Sequence, residues 1–106
     1  MVHEILLFKL KAGKSSEVVE DLMVESRIRL LKLPEVQKLA CGKPINTDEQ
    51  SFDFFLNLEY ENMTKRALVM DSPQYVQFEV QILKPNTTGK QAYLFESEPG
   101  KDVRYS

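Results

Sequence analysis

The pattern of hydrophobic and polar positions is clearest at the beginning of the chain. Residues 2–10 predict a β-strand, in which successive side chains alternate between two faces. Both faces carry large apolar side chains: Leu6, Phe8 and Leu10 on one, and Ile5 and Leu7 beside His3 on the other. The helices of a two-layer domain can cover one face of its sheet. We therefore expect the other face to be covered by a second copy of the chain.

The second pattern has the spacing of an amphipathic helix and follows a turn at residues 11–14. Ser15 or Ser16 can cap this helix, and Pro34 ends it. Its broad apolar face is formed by Val18, Val19, Leu22, Met23, Leu30 and Leu33. A narrower stripe consists of Val24, Ile28 and Leu31. This stripe is either the flank of the packed face or an additional contact surface.

Two further strand patterns occupy the middle of the chain. Residues 36–44 form the weaker one, residues 46–50 are a polar loop, and residues 52–60 form the stronger one. One face of the stronger strand is apolar, with Phe52, Phe54, Leu56, Leu58 and Tyr60, and the other is mixed, with Asp53, Phe55, Asn57 and Glu59. The mixed face predicts contact with water or with a hydrated interface.

The last third of the chain combines a broken helix, a turn and a final strand. A short helix, capped by Asn62 or Thr64, is interrupted by an Asp-Ser-Pro sequence. Residues 76–83 fit both a strand and a helix, and periodicity does not decide between them. Residues 85–89 predict a turn, and residues 92–96 predict a strand.

The resulting order, β-α-β-β-α-β, is that of a ferredoxin-like α+β domain. It predicts a four-stranded antiparallel sheet with the helices on one face and the other face open. Ile5, Leu7 and Phe55 on the open face predict that two sheets pair in a homodimer, because a large exposed apolar patch marks an interface. We expect the domain to span residues 1–98 and a polar tail to span residues 99–106.

Composition excludes several classes of function. A net charge of -2 over 106 residues provides no basic surplus for nucleic acid or for an anionic membrane surface. No stretch approaches the ~20 apolar residues of a membrane span, and the first residues lack the pattern of a signal peptide. We therefore expect a cytoplasmic domain without a membrane or nucleic-acid partner. The dispersed glycines form no phosphate-binding loop, and we expect no cofactor.

Metal and thiol chemistry have few candidate residues. His3 is the single histidine and Cys41 the single cysteine. Because metal sites usually need three or four clustered ligands, we expect no metal; a site shared across a two-fold axis is the alternative. We expect His3 at an interface or on the surface, and Cys41 in packing, because no nearby histidine or helix N-terminus would activate its thiol.

Short segments, in the order of the predicted elements, carry a family resemblance. Residues 5–13 read Ile-Leu-Leu-Phe-Lys-Leu-Lys-Ala-Gly, and residues 72–75 read Ser-Pro-Gln-Tyr. Pro-Glu-Val precedes Cys-Gly-Lys, and Tyr-Leu-Phe-Glu follows near the end. Over residues 2–96 the chain resembles the stress-responsive A/B barrel family, the Dabb domains. The resemblance implies a ferredoxin-like protomer, a helix over about residues 73–84, and a homodimer whose two sheets form a dimeric α+β barrel.

The same resemblance bears on chemistry. A few plant-type members of the family cyclise polyketides, using histidines in a pocket between sheet and helices. The three histidine positions fall on Glu4, Phe54 and Tyr75 in this sequence. Because all three imidazoles are replaced, we do not expect cyclisation by that route, and we assign no reaction.

Three functional hypotheses remain. The first is a homodimer that holds a small apolar molecule between sheet and helices, without a catalytic role. Its pocket would be lined by Glu4, Leu6, Phe8, Leu22, Phe54, Leu56, Tyr75 and Phe78. Another is an interaction module that uses the stripe of Val24, Ile28 and Leu31.

The remaining hypothesis is a small enzyme, such as a polyketide-cyclase-like enzyme, an isomerase or a cofactor-free monooxygenase. Glu4 would be its base, because a carboxylate removed from water becomes more basic, and Tyr75 would be its proton donor. The alternative for Glu4 is a position at a solvated rim, since it is only three residues from the start of the chain. These placements make Glu4 and Tyr75 the candidate catalytic residues.

Overall fold

The computed structural model describes residues 1–45, 52–98 and 100–101, and the statements that follow concern these residues. Their elements occur in the ferredoxin-like order that the sequence predicts. In chain order they are β1 (Val2–Leu10), α1 (Ser16–Leu30), β2 (Lys38–Gly42), β3 (Phe54–Tyr60), α2 (Met63–Met70), α3 (Pro73–Phe78), a π-helical segment (Glu79–Leu83), α4 (Lys84–Asn86) and β4 (Thr87–Glu96).

The four strands form one antiparallel sheet in the order β2-β3-β1-β4. β1 is central, and Val2 lies opposite both Tyr60 of β3 and Glu96 of β4. The alternation predicted for β1 is confirmed, because one face is buried, with Val2, Glu4, Leu6 and Phe8, while His3, Ile5 and Leu7 are half-buried. The predicted four-stranded sheet with helices on one face is therefore present.

The apolar core lies between the buried face of the sheet and the helices. Leu22 and Leu30 of α1, Val69 of α2 and Phe78 of α3 pack against it and are at most 1% exposed. Burial of each such side chain stabilises the fold by roughly 1.5–3 kcal/mol. The core holds the helices on this face, and no helix of the described residues covers the other face of the sheet.

The ambiguous segment after the Asp-Ser-Pro break is helical. Ser72 caps α3, since its hydroxyl accepts a hydrogen bond from the Tyr75 amide at 3.2 Å, and Pro73 occupies the first turn, where no amide hydrogen is needed. The helix expected over about residues 73–84 is thus confirmed. It continues through the π-helical segment to Asn86.

The turn predicted at residues 85–89 is wrong, and so is the late start of the last strand. A proline clashes with the carbonyl four residues earlier in an α-helix, but here that carbonyl lies in the wider π-helical segment, so the helix includes Pro85. Asn86 and Thr87 then end it by donating side-chain hydrogen bonds to backbone carbonyls, at 2.8 and 2.6 Å. β4 begins at Thr87 because polar residues 87–91 pair with β1.

The observed ends of other helices and strands differ from the predicted ones by a few residues. β2 begins at Lys38 and β3 at Phe54, later than the sequence predicts, and α1 ends at Leu30, before Pro34. Ser15 is the N-cap residue of α1 but makes no side-chain capping bond, whereas the Asn62 side chain accepts one from the Lys65 amide at 2.9 Å. The predicted loop at residues 46–50, and residues 99 and 102–106 of the predicted tail, lie outside the described residues.

The open face and the edge strand β4 leave apolar surface exposed. Tyr93, Leu94 and Phe95 are 45–56% exposed, and they lie on both faces of β4. The stripe of Val24 and Ile28 on α1 and Leu31 directly after it is also about half exposed. No helix within residues 1–45, 52–98 and 100–101 is long and apolar enough to cross a membrane.

Candidate functional site

Glu4 lies on the buried face of β1, where its carboxylate is 2% exposed. The Tyr60 hydroxyl donates to one carboxylate oxygen, Oε1, at 3.0 Å. Arg66 donates to the other, Oε2, through Nε at 3.1 Å and Nη2 at 2.7 Å. The alternative that placed Glu4 at a solvated rim is wrong, because the end of β3 and helix α2 cover this end of the strand.

Strand register and helix capping bring these groups together. Glu4 lies opposite Leu58 of β3, so Tyr60, two residues further along, is on the same face. Asn62 starts α2 directly after β3, and Arg66 in the next turn reaches back over the sheet. A buried carboxylate is costly without a partner, and here the guanidinium, which is 24% exposed, compensates its charge.

Tyr75 lies near this cluster at the start of α3 and is 4% exposed. Burial, and then the charges of Glu4 and Glu79, raise the pKa of Tyr75 well above its ordinary value, while Arg66 opposes the shift. Burial and the Glu4 carboxylate likewise raise the pKa of Tyr60. The hydrogen bonds to Glu4 raise the pKa of Arg66. Both tyrosines are therefore neutral hydrogen-bond donors at ordinary pH.

Both carboxylate oxygens of Glu4 already accept hydrogen bonds. Its two oxygens receive three hydrogen bonds, of which two come from a cation. To accept a proton from a substrate, the carboxylate would have to exchange at least one of these donors. Within the described part of the chain, the Tyr75 hydroxyl makes no hydrogen bond to Glu4, so Tyr60 is the tyrosine that engages the carboxylate.

Residues 2–96 match the model of the stress-responsive A/B barrel domain, Dabb. The chain belongs to the Dabb family. Comparison with curated proteins gave no match. The match spans all the helices and strands described above, so the Dabb fold includes both the Glu4 cluster and the open face of the sheet.

Solved structures with a similar fold include proteins of different kinds. One is a dimeric ferredoxin-like protein of unknown function from Thermobifida fusca, at 18% identity and a TM-score of 0.78, covering 89% of this chain and 88% of that one. Another is the hydroxynitrile lyase from Passiflora edulis, at 12% identity and a TM-score of 0.78, covering 92% and 94%. A third is SnoaB, a cofactor-independent oxygenase from Streptomyces nogalater, at 9% identity and a TM-score of 0.71, covering 96% and 97%.

The two candidate catalytic residues of this Dabb chain, Glu4 and Tyr75, are both buried at the same end of the core. Arg66 was not among the residues selected from the sequence, and Tyr60 was expected only in the core. Strand register could have identified Tyr60 as a neighbour of Glu4, because Tyr60 lies opposite Val2 on the same face. For Arg66 the only indication is its position in the first turns of a helix that begins directly after β3.

The predicted ligand-pocket residues form the closed core of the Dabb domain. They are at most 2% exposed: Leu6, Phe8, Leu22, Phe54, Leu56 and Phe78. Phe8 and Phe54 stack with their ring centroids 5.8 Å apart. A ligand at this place would have to separate side chains that now pack against one another. The pocket stays a prediction.

Two residues with possible metal or thiol chemistry lie apart from the Glu4 cluster. His3 is on the open face, as predicted. Within the ranges 1–45, 52–98 and 100–101, no group of three histidine, cysteine or acidic side chains could hold a metal ion. Burial raises the pKa of the Cys41 thiol, an effect that Arg27 opposes, so this half-buried thiol is weakly nucleophilic.

Proposed function

We propose that this Dabb protein works as a homodimer, joined through the open faces of its two sheets, and that it binds a small apolar ligand near Tyr75. The observation that carries the proposal is the unequal cover of the sheet. Helices close one face, while the other face and strand β4 keep apolar side chains in contact with water. A dimer would remove this apolar surface from water, and that burial would drive the association of the two copies.

An exposed aromatic side chain supports a second copy as the cover of the open face. Phe95 is 56% exposed and lies opposite His3 on the neighbouring strand, and burial of such a large apolar side chain favours association. The ferredoxin-like protein from Thermobifida fusca is dimeric, which supports a second copy as the partner.

Light scattering after size exclusion tests the dimer at micromolar concentration. The unchanged protein should have the mass of two chains, and Phe95→Asp should move it towards one chain, because it places a charge in the interface. Leu68→Asp is the matched control, since Leu68 is similarly exposed but lies on α2. A monomeric wild-type protein, or equal effects of the two substitutions, would contradict the proposal.

The ligand proposal rests on the Glu4 cluster. Glu4, Arg66 and Tyr60 satisfy one another, and the adjacent Tyr75 hydroxyl can donate a hydrogen bond to a carbonyl or hydroxyl group. The rest of the ligand would enter between the apolar side chains of the core. A ligand with one polar group and a compact apolar body fits this chemistry.

Thermal unfolding in the presence of small aromatic ketones and phenols tests the ligand. A compound present at ten times its Kd should stabilise the protein by about 1.4 kcal/mol, which raises Tm by several degrees. Tyr75→Phe should remove this shift, and Tyr93→Phe, at an exposed tyrosine, should preserve it. If no compound in the series raises Tm, or if Tyr75→Phe leaves the shift intact, the ligand site is elsewhere or absent.

An enzyme with Glu4 as base and Tyr75 as proton donor is the second candidate. It is favoured by the burial of both residues at one end of the core and by the enzymes among the structural relatives. Release of cyanide from an aromatic hydroxynitrile, and oxygen uptake with a phenolic substrate, are the reactions to assay. Glu4→Gln and Tyr75→Phe should each lower such a rate by about 100-fold or more. An activity that survives both changes would exclude these roles.

A stress-related role and a cytoplasmic location complete the proposal. The first comes from the description of the family, and the second from the composition of the chain. An increase in the amount of the protein after heat treatment, together with its presence in the cytoplasmic fraction of cells, would support them. Unchanged abundance or a different fraction would contradict them.

A further inference from the structure

Three polar side chains from different parts of the chain meet on the open face of the sheet, away from the Glu4 cluster. The Ser97 hydroxyl lies 2.7 Å from Nε2 of His3. On the other side of the ring, Nδ1 of His3 lies 3.3 Å from Oε1 of Glu59. The order is hydroxyl, imidazole, carboxylate, with each partner on a different ring nitrogen.

The backbone holds these groups in place. His3 lies opposite Glu59 on β3, and on its other side it lies opposite Phe95 on β4, two residues before Ser97. The Ser97 amide donates to the Met1 carbonyl at 2.9 Å, which ties the residue after β4 to the beginning of the chain. Strand pairing therefore places the ring beside the carboxylate, and the backbone hydrogen bond between Ser97 and Met1 holds the hydroxyl next to them.

This geometry has a definite chemical meaning. A carboxylate beside Nδ1 favours the tautomer with its proton there, and Nε2 is then free to accept the Ser97 proton. A serine activated in this way is the nucleophile of acyl-transfer reactions, which are recognised by geometry and not by sequence order. We infer that Ser97, His3 and Glu59 form an esterase-type site on the open face of the sheet.

The reaction of this site is hydrolysis of a carboxylic ester. Ser97 Oγ forms a bond to the ester carbonyl carbon while His3 Nε2 takes its proton. The bond to the alcohol oxygen breaks, and the alcohol leaves with the proton from His3. Water then attacks the acyl-serine, His3 removes a proton from it, and the acid is released with Ser97 restored.

The surroundings indicate the class of ester and its approach. Ile5 lies two residues along β1 from His3 on the same face, so a small apolar acyl group fits beside the serine. His3 is one residue from Val2, where the pairing of the described strands begins. In the proposed dimer the site would lie at the end of the paired sheets, from which a substrate can approach. The inference does not depend on the Glu4 site.

A fluorophosphonate reagent, which labels activated serines, tests the nucleophile directly. Peptide mapping of the full-length protein should place the adduct on Ser97. Ser97→Ala should remove it, and His3→Gln should reduce it by at least ~10-fold, since general-base help contributes about 100-fold or more. Ser15→Ala is the matched control, because the Ser15 hydroxyl makes no capping bond. An adduct absent from Ser97 would overturn the inference.

Hydrolysis of p-nitrophenyl acetate and butyrate provides the second measurement. Ser97→Ala and His3→Gln should each lower kcat/KM by at least ~10-fold, with Ser15→Ala unchanged. Equal hydrolysis by wild-type protein and Ser97→Ala would show that another group reacts, and would also overturn the inference. Light scattering on each variant confirms that its oligomeric state is the same.

Glu59 acts through His3 and is a positioning residue. Glu59→Gln should lower kcat several-fold and leave KM unchanged, because substrate contacts are retained while the ring loses its orienting charge. Lys38, whose Nζ lies 4.0 Å from the other Glu59 oxygen and which is largely exposed, gives the control Lys38→Gln, with both constants unchanged. An unchanged kcat in Glu59→Gln would exclude the positioning role.

Discussion

The two faces of the sheet place titratable side chains in opposite environments. On the helix side, Glu4 is buried and receives hydrogen bonds from Tyr60 and Arg66. On the open side, His3 lies between Ser97 and Glu59 in a half-buried setting. Glu4 and His3 are adjacent in sequence, and alternation along β1 alone sends them to different faces.

The difference teaches which changes should affect stability and which should affect association. On the helix side Glu4, Tyr60 and Arg66 pair within one chain, so loss of one partner there should lower the stability of the protomer. On the open side His3 and Ser97 bond to each other in a half-buried setting, and apolar side chains such as Phe95 remain exposed. Changes to apolar side chains of the open side should therefore affect association more than the stability of the protomer.

Loss of the Glu4 partner should give the largest effect on stability. Arg66→Met leaves a buried carboxylate without its cation and should lower the free energy of unfolding by about 3–5 kcal/mol in urea titrations. Glu4→Gln combined with Arg66→Met should restore most of this loss. Arg29→Met, which breaks a more exposed pair with Glu25, should have an effect below about 1 kcal/mol. Similar losses for the two arginines would contradict the comparison.

Neighbouring leucines on the two faces provide the next comparison. Leu6→Ala opens a cavity in the core and should lower the free energy of unfolding by about 2–5 kcal/mol. Leu7→Ala, at a half-buried position of the open face, should change the unfolding of the protomer less and weaken the dimer instead. Urea titration and light scattering on each variant separate the two effects. A greater loss of protomer stability for Leu7→Ala would reverse the assignment of the faces.

The sequence was sufficient for what depends on local pattern. Alternation in β1 and β3 correctly separated the faces, and Asn62 marked the beginning of a helix. The helix that begins at Pro73 was predicted only through the family resemblance. The partly polar run at residues 87–91 was taken for a turn or left unassigned, because the bonds that make it a strand come from β1, far away in sequence. Pro85 was misjudged because the π-helical segment before it has no sequence signal of its own.

The candidate site was predictable only in part. Glu4 and Tyr75 were selected through family register, and both are buried near one another. Arg66 was not selected, because an ion pair between residues 62 positions apart leaves no local pattern. The same is true of Ser97, which is 94 positions from His3. Such pairs follow from strand order and register, which a single sequence specifies only indirectly.

High pH should distinguish the tyrosines of the two faces. Burial raises the pKa of Tyr60 and Tyr75, so in the folded protein they keep their protons when the unfolded chain loses them, above about pH 10. Stability is therefore complete below that pH and falls above it, by about 1.4 kcal/mol per pH unit for each tyrosine. Tyr75→Phe should make the fall less steep, whereas Tyr93→Phe, at an exposed position, should not. An equal slope in all three proteins would argue against burial as the cause.

The reaction rate of the Cys41 thiol should show the smallest of these effects. It reports how tightly α1 packs against β2 at the edge of the sheet. Burial raises the pKa of its thiol, and Sγ lies 3.8 Å from the Met23 carbonyl oxygen. Its reaction with an aromatic disulfide at pH 8 should thus be about 10-fold slower than that of an exposed thiol, and should reach the exposed rate in urea. The reference is Thr88→Cys in a Cys41→Ala background, because residue 88 is exposed and lies on a strand, away from the helix N-termini that lower the pKa of a thiol. If the two thiols react equally fast in the folded protein, α1 must separate from β2 often, and the helix side is less closed than its packing indicates.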